Sequence, residues 1–366
     1  MARTTIPQAR RRVVVGVDTH KDVHVARAKD HLGCLIDEQT IPATIAGYRS
    51  LLSWATNLGD VEAFGIEGTG SFGAGLTRFL LDEGHAVREV TRPNRQRRRR
   101  NGKSDPADAD AAASAVLSGE ASGVPKTGDG PVEMIRALRL ARKTAVKAHT
   151  QAINTMKALI VTASPELRES LPRSHRSTKP LVRACAAFSE ELLTSPLAAH
   201  RRALRSLAVR CLQLEAEIAE LAAALDELVA RTAPELVSRY GVGTDSAAAL
   251  LIAAGDNPER LRSDAAFSSL CGVSPVEASS GKTVRHRLNR GGNRDANAAL
   301  HRIVLVRLRW HEPTRVYVER RTKEGRTKRE IMRCLKRYVA REIYGVLSET
   351  SLERPIQGST PSARVA

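Results

Sequence analysis

Aromatic side chains are scarce in this 366-residue chain: five Phe, five Tyr and two Trp, 3% of the sequence. Stacking on splayed bases is therefore not expected to dominate binding to any partner. The five cysteines (Cys34, Cys185, Cys211, Cys271, Cys334) form no Cys-x-x-Cys pair, which argues against both a zinc site and a disulfide framework. No apolar run approaches the roughly 18 residues that a bilayer span needs. The first twelve residues, MARTTIPQARRR, lack the apolar segment of an export signal, so a cytoplasmic location without membrane attachment is expected. Acidic residues are also in deficit. Against 40 Asp and Glu stand 58 Lys and Arg, a formal net charge of +18. An excess of that size points to a polyanion, nucleic acid rather than membrane, held mainly through its phosphates.

Strand and helix signals alternate over residues 13–118. VVVGVD (13–18) and VHVARAKD (23–30) read as strands, TIAGYRSLLSWATNLG as an amphipathic helix, and VEAFGIEGTG as a buried strand breaking at glycines. SFGAGLTRFLLDEG reads as a helix closed by Gly84, and HAVREV as a further strand. Strands separated by helices argue for an α/β layer. Residues 1–12 form a basic tail, and 119–131, rich in Gly, Pro and Ser, reads as a linker. Residues 132–235 are helical in pattern. Leu204, Leu207, Cys211, Leu214, Ile218, Leu221, Leu225 and Leu228 step by three and four, the seam of a coiled coil. Met134, Leu138, Ala141, Ala145, Ala148 and Ala152 repeat the rhythm. The seam serves either a helical bundle within one chain or a dimerisation arm. Residues 236–350 form a mainly α C-terminal part in which YGVGTDSAAALLIAAGD sets a Gly-x-Gly turn before a helix, as in a helix-hairpin-helix. Residues 351–366 read as a disordered tail.

The chemistry concentrates in acids. Asp18 ends the first strand and Glu67 a later one, while Asp105 and Asp108 sit three apart at a helix start and so share a face. Asp105-Pro106 itself reads as a helix N-terminus, with a capping carboxylate, proline at the first helical position and an acid in the first turn. Strand ends and a following helix can converge on one point in an α/β layer. Carboxylates meeting there repel unless cations intervene. Oxygen-only ligands suit Mg2+ (or Mn2+), and a pair of such ions supports phosphoryl transfer. His20 and His24, in an extended segment, read as surface residues.

The motifs VGVDTHKD, GIEGTGSFG, RPNRQ…GKSDPADADAAA, GVGTDSAAALL, LCGVSP…SSGK…RGGNR and KREIMRCLKRYVAREIYGVL together resemble the DEDD insertion-sequence transposases of the family numbered one hundred and ten, the bridge-RNA-guided recombinases. The resemblance covers roughly residues 13–350. It implies an RNase H-like (RuvC-like) N-terminal domain, a coiled-coil middle and a C-terminal transposase domain. By position it lays the family's metal-binding catalytic tetrad on Asp18, Glu67, Asp105 and Asp108. The usual Lys-Thr-Asp-x-x-Asp-Ala reads Lys103-Ser104-Asp105-Pro106-Ala107-Asp108-Ala109 here. Asp110 matches no tetrad position and is expected to face solvent. The family's Ser-Gly signature falls on Ser280-Gly281, making Ser280 the expected nucleophile ahead of Ser279. No His-Asp partner stands near it in sequence, so the acidic domain, of the same or a neighbouring protomer, is expected to supply the activating metal. Lys282, Arg285 and Arg287 are placed to steady phosphorane charge. The resemblance also implies a structured guide RNA beside donor and target DNA, and a homo-oligomer, dimer or tetramer.

The expected activity is that of a transposase or site-specific recombinase that cuts and rejoins DNA. A metal-dependent junction resolvase would use the acids alone, with no need of the C-terminal 110 residues. A non-catalytic nucleic-acid-binding protein would need no tetrad. Seven of the twelve residues in RPNRQRRRRNGK (92–103) are basic. Arg97, Arg98, Arg99, Arg100 and Lys103 are expected to hold the phosphate backbone close to the acids, with little sequence information. Neutralising Arg97 to Arg100 should lower the slope of log K against log salt by about 3 if all four contact phosphates. Titrating DNA binding across salt concentrations checks this, and an unchanged slope means that the run is only solvated.

Overall fold

The computed structural model describes residues 10–90, 104–172, 177–282 and 286–352. The described chain divides into two compact units. The first runs to Gly130 and also takes in Gly255–Arg262; the second holds Pro131–Ala254 and the chain from Ser263 onward.

The first unit is built on a five-stranded mixed sheet. Its elements are β1 (Arg12–Thr19), β2 (Val23–Asp30), β3 (Leu35–Pro42), α1 (Ile45–Leu58), β4 (Asp60–Glu67), α2 (Ala74–Asp82), β5 (Val87–Val90) and α3 (Asp105–Leu117). The strand order is β3-β2-β1-β4-β5. β1 pairs antiparallel with β2 and parallel with β4, and β4 pairs parallel with β5. This arrangement is consistent with the expected RNase H-like layer. β3, which the sequence did not signal, is an edge strand exposed along most of its length.

β1 is buried on both sides, so its side chains divide by strict alternation. Val13, Val15 and Val17 join Ala26, Ala28, Phe64 and Ile66 in the core shared with Leu51 of α1 and Leu76 of α2. The opposite face presents Gly16 on β1 and Gly65 on β4, and α3 lies directly on it. A Cβ on Gly16 would stand 2.1 Å from the Ala109 carbonyl oxygen and 2.2 Å from the Ala113 nitrogen. One on Gly65 would meet Val116 at 2.6 Å and the Ala112 carbonyl at 2.9 Å. The helix answers with its own small side chains: Ala109, Ala112 and Ala113 are buried.

Residues past α3 are packed onto the same unit. Gly123 bridges Glu89, Ala121 is buried, and Asn257 donates to the Pro125 carbonyl oxygen at 3.0 Å.

The second unit is helical. α4 (Pro131–Thr162) and α7 (Pro196–Thr232) pack along each other, with α5 (Pro165–Ser170) and α6 (Lys179–Ala186) closing one end around Met156, Leu167, Cys185 and Leu204. The heptad seam is thus used within the chain. Leu204, Cys211, Leu225 and Leu228 are buried, Leu214, Ile218 and Leu221 half-buried, while Met134 points outward and Ile135 takes the core position. Beyond them come α8 (Pro234–Ser238), α9 (Thr244–Ala254), α10 (Asp264–Leu270), the two-residue strands β6 (Val276–Glu277) and β7 (His286–Arg287), α11 (Arg294–Trp310), α12 (Glu312–Lys323) and α13 (Lys328–Leu352). The Gly-x-Gly turn does precede α9. Asp245 in the first turn of α9 is enclosed by Arg139, Arg142 and Arg302.

The contact at Gly16 yields a direct test. Gly16→Ala forces backbone apart from backbone and should destabilise the first unit by at least about 1–3 kcal/mol. Gly345→Ala, where an added Cβ meets nothing within 4 Å, should be neutral or stabilising. Thermal unfolding of the two variants checks the pair.

Candidate active site

Alternation that points Gly16 and Gly65 toward α3 also points the residues two positions on, Asp18 and Glu67, to that face. The parallel register Val17↔Ile66 sets these acids side by side at the C-terminal ends of β1 and β4. Thr19 Oγ1 donates to the Glu67 carbonyl oxygen at 2.8 Å and ties the two strand ends together. Gly-x-Asp in VGVD and Gly-x-Glu in FGIE are therefore one device used twice. The glycine admits the helix and the acid projects beside the helix N-terminus. This signal lies in the sequence itself, in the two Gly-x-acid steps.

Asp105 and Asp108 lie in the first turn of α3, where the helix dipole favours carboxylates. The capping expectation needs correction. Ser104, not Asp105, occupies the N-cap position, and Pro106 sits inside the first turn, where a missing N–H costs nothing. Asp105 is thereby freed to face the strand ends. His20 Nε2 lies 3.1 Å from Asp18 Oδ2 and 3.3 Å from Asp105 Oδ1. Ligand atoms of Asp18, His20 and Asp105 all fall within 4.8 Å of one another. Asp108 is buried, with 7% of its surface exposed. Burial pushes the Asp18 carboxyl above its ordinary value. His20 opposes that rise, while the Asp108 and Asp105 charges add to it. The structure thus brings Asp18 and Asp105 together with Asp108 in electrostatic reach. Glu67 is beside Asp18 in the sheet, outside the tight three-residue group.

Both histidines depart from expectation. His20 is part of the acid group. His24 is fully buried, stacks on Tyr48 with ring centroids 5.8 Å apart, and leaves Nε2 without a hydrogen-bond partner. Asp110 does not simply face solvent: it pairs with the buried Lys29 at 2.9 Å, and Lys29 also donates to Ser114 Oγ at 2.9 Å. The pair fastens α3 to β2, two residues beyond Asp108.

Ser280 belongs to the second unit. It is exposed in the turn of the β6–β7 hairpin, just before Gly281 at φ +55°. The hairpin's base is built by two glycines face to face, since a Cβ on Gly292 would lie 2.1 Å from the Gly272 nitrogen. Asn297 Nδ2 donates to the carbonyl oxygens of Cys271 (2.9 Å) and Gly272 (3.1 Å), and its Oδ1 accepts from Lys336 Nζ at 2.9 Å. Lys282 and Arg287 are exposed on the same hairpin. Arg285, Lys103 and Arg97 to Arg100 lie outside the described residues.

The donor set fits a hard divalent cation: carboxylate oxygens gathered where burial first, and the Asp108 and Asp105 charges after it, raise Asp18, with one imidazole nitrogen between two of them. The family model for DEDD transposases of the IS110 group matches residues 15–165. The model for transposases of the IS116/IS110/IS902 family matches residues 233–319. The first match spans all four acids, and the two matches together define a DEDD transposase, an enzyme of DNA transposition. The chain belongs to the IS110 family of insertion-sequence transposases. Membership implies divalent-metal dependence. No curated protein matches the chain. No helix among the described residues is long and apolar enough to cross a membrane.

The raised Asp18 carboxyl has a consequence for stability. A carboxyl raised in the folded state stabilises the fold while protonated, and that contribution is lost as pH rises through the elevated value. Without divalent cations, Asp18→Asn should therefore melt above wild type at pH 7–8, with the advantage shrinking toward acid pH. A melting series in EDTA checks the sign.

Proposed function

We propose that this transposase cuts and rejoins DNA using Mg2+ or Mn2+ held by Asp18, Glu67, Asp105 and Asp108, with Ser280 as nucleophile and a structured RNA as guide. The observation that carries the reading is the meeting of Asp18 and Asp105 across His20 at the C-terminal end of the central strand β1, from segments far apart in sequence. His20 supplies a nitrogen the family's acidic pattern does not call for, and such a mixed set suits Mn2+ as well as Mg2+.

In this reading Ser280 Oγ attacks the scissile phosphorus. A serine–phosphate ester forms as the bond to the leaving deoxyribose oxygen breaks; the serine proton passes to a base and the leaving oxygen takes one up. The hydroxyl of the second strand end then attacks the ester, giving up its proton as Ser280 regains one. The number of phosphoester bonds is unchanged, so rejoining needs no further energy source. A bound divalent cation would promote loss of the hydroxyl proton and offset the phosphorane charge. Lys282 and Arg287, both exposed on the serine's hairpin, supply fixed positive charge next to it. Pairing of a guide RNA would select the sequence, leaving backbone and shape to the protein. Self-association would bring together the several active centres that joining two duplexes requires.

The deciding experiment combines the full chain, its co-purifying RNA, Mg2+ and both DNAs. Recombinant joints are expected, whereas nicks alone would favour the resolvase reading. Asp18→Ala and Asp108→Ala should each lower strand exchange at least about a hundredfold, the scale of one lost preorganised electrostatic contact, with the fold retained. Mass spectrometry of trapped intermediates should find a DNA–peptide adduct that Ser280→Ala loses and Ser279→Ala keeps. Joining without any adduct would remove the serine from the mechanism.

A further inference from the structure

Behind the serine hairpin, in the second unit, is a cavity of about 310 Å³ between β7 and α13. Its charge is one-sided. Arg287, Arg333, Lys336, Arg337 and Arg341 line it, and the carboxylate that ion-pairs with this group is Asp264, held by Arg337 at 2.9 Å and Arg341 at 3.1 Å. Arg287 and Arg333 make no ion pair among the described residues. Arg337 NH1 is buried and has no hydrogen-bond partner among the described residues. A buried guanidinium N–H without an acceptor is costly, and a ligand oxygen would remove that cost. Burial and the neighbouring Arg333 push the Lys336 amine below its usual value, as expected where cations are crowded.

The rest of the wall is mixed. Pro275, Leu288 and Tyr338 give it apolar surface beside Ser274 and His286, and Tyr338 is 51% exposed in a chain with few aromatics. Tyr317 packs edge-on against its ring with centroids 5.6 Å apart, fixing its plane. A flat basic face would suit the phosphates of an intact duplex. A concave site with one open aromatic ring, apolar sides and a cluster of guanidinium groups suits an anion carrying a planar apolar body. The volume lies at the lower end of the roughly 300–1,000 Å³ of small-ligand pockets, the scale of one nucleotide rather than a helix.

We propose that this cavity seats a single unpaired nucleotide of a polynucleotide strand, its base against Tyr338 and Leu288 and its phosphate against Arg333 and Arg337. Ser280 is six residues from His286 on the cavity wall, hence no more than about 22 Å away along the chain. The nucleotide would therefore anchor a strand near the serine. That placement rests on the reading of Ser280 as nucleophile; occupancy of the cavity does not.

The test uses the full chain in EDTA, where no strand is cut. Single-stranded oligonucleotides carrying one photoreactive 5-iodouracil, in DNA and RNA versions, are cross-linked and the peptides mapped. The expected adduct is at Tyr338, and the version that gives it identifies the strand as DNA, RNA or either. Tyr338→Ala should weaken binding of that oligonucleotide about tenfold, within the range for one stacked base, and Tyr338→Phe should not. Ser280→Ala should leave both the adduct and the affinity unchanged, so failure of the serine mechanism would show separately, in strand joining. Adducts confined to other segments, or a Tyr338→Ala affinity within twofold of wild type, would overturn the pocket.

Discussion

The acidic cluster of this transposase depends on how closely one helix lies against one strand. With no Cβ at Gly16, α3 rests on β1 at a backbone-to-backbone separation that no other residue permits. Everything acidic follows from that distance. The helix N-terminus arrives at the C-terminal ends of the two central parallel strands, and its first-turn acids meet the acid that β1 projects two residues after the glycine. The Lys29–Asp110 pair and the alanine face of α3 hold the helix in register. The arrangement is unfavourable in itself, since it buries like charges. Packing elsewhere in the unit must offset that cost, as is usual where a fold stores a binding site.

Much of this was legible in the sequence because the signals were of the kind that tertiary structure reinforces. β1 and β4 are short buried runs, and burial on both faces requires such runs. The acids could be listed, and their meeting could be argued only from the general habit of α/β layers. What stayed hidden was relational. β3 follows no clean alternation because an edge strand half in water has little to bury. Asp110 looked idle because its partner is on β2, in a segment whose lysine gave no hint of burial. His20 and His24 shared one extended stretch, yet the turn after β1 sends His20 to the acids and the next strand buries His24 against Tyr48. The alternation of Gly16 with Asp18 was readable, and it would have fixed which face of the sheet carries the site.

The positive charge divides similarly between visible excess and hidden use. Arg307 is almost wholly buried, chelates Glu342 through two hydrogen bonds of 2.7 and 2.9 Å and caps the Tyr240 carbonyl oxygen. Arg139, Lys143 and Arg302 tie α4, α9 and α11 together through Asp245 and Asp295. Arg139 and Arg307 are largely buried and structural, while Lys143 and Arg302, partly exposed, are already paired with internal acids. Net charge therefore overstates the charge free for nucleic acid, and in the proposed reading the cations open to phosphates are those with no ion pair among the described residues, such as Arg287 and Arg333. Their scarcity of partners is what separates a binding face from a scaffold.

The two halves of the proposed chemistry are held in different ways, and the difference fits their tasks. Carboxylates that must accept a cation at fixed spacing gain from rigidity, and a five-stranded sheet with a helix pressed onto it supplies that. A nucleophile that must form a bond, carry a strand and release it needs exposure and some freedom. Ser280 is exposed, in a hairpin whose strands are two residues long. The base of that hairpin is fixed by the Gly272–Gly292 contact and by Asn297, whose amide grips the Cys271 and Gly272 carbonyls while its oxygen accepts from Lys336. One end of that chain of contacts is the cavity floor and the other the root of the serine turn. A strand drawing on the cations of α13 would thus act on the same hydrogen bonds that set the hairpin's root, giving the serine a means to respond to the strand beside it.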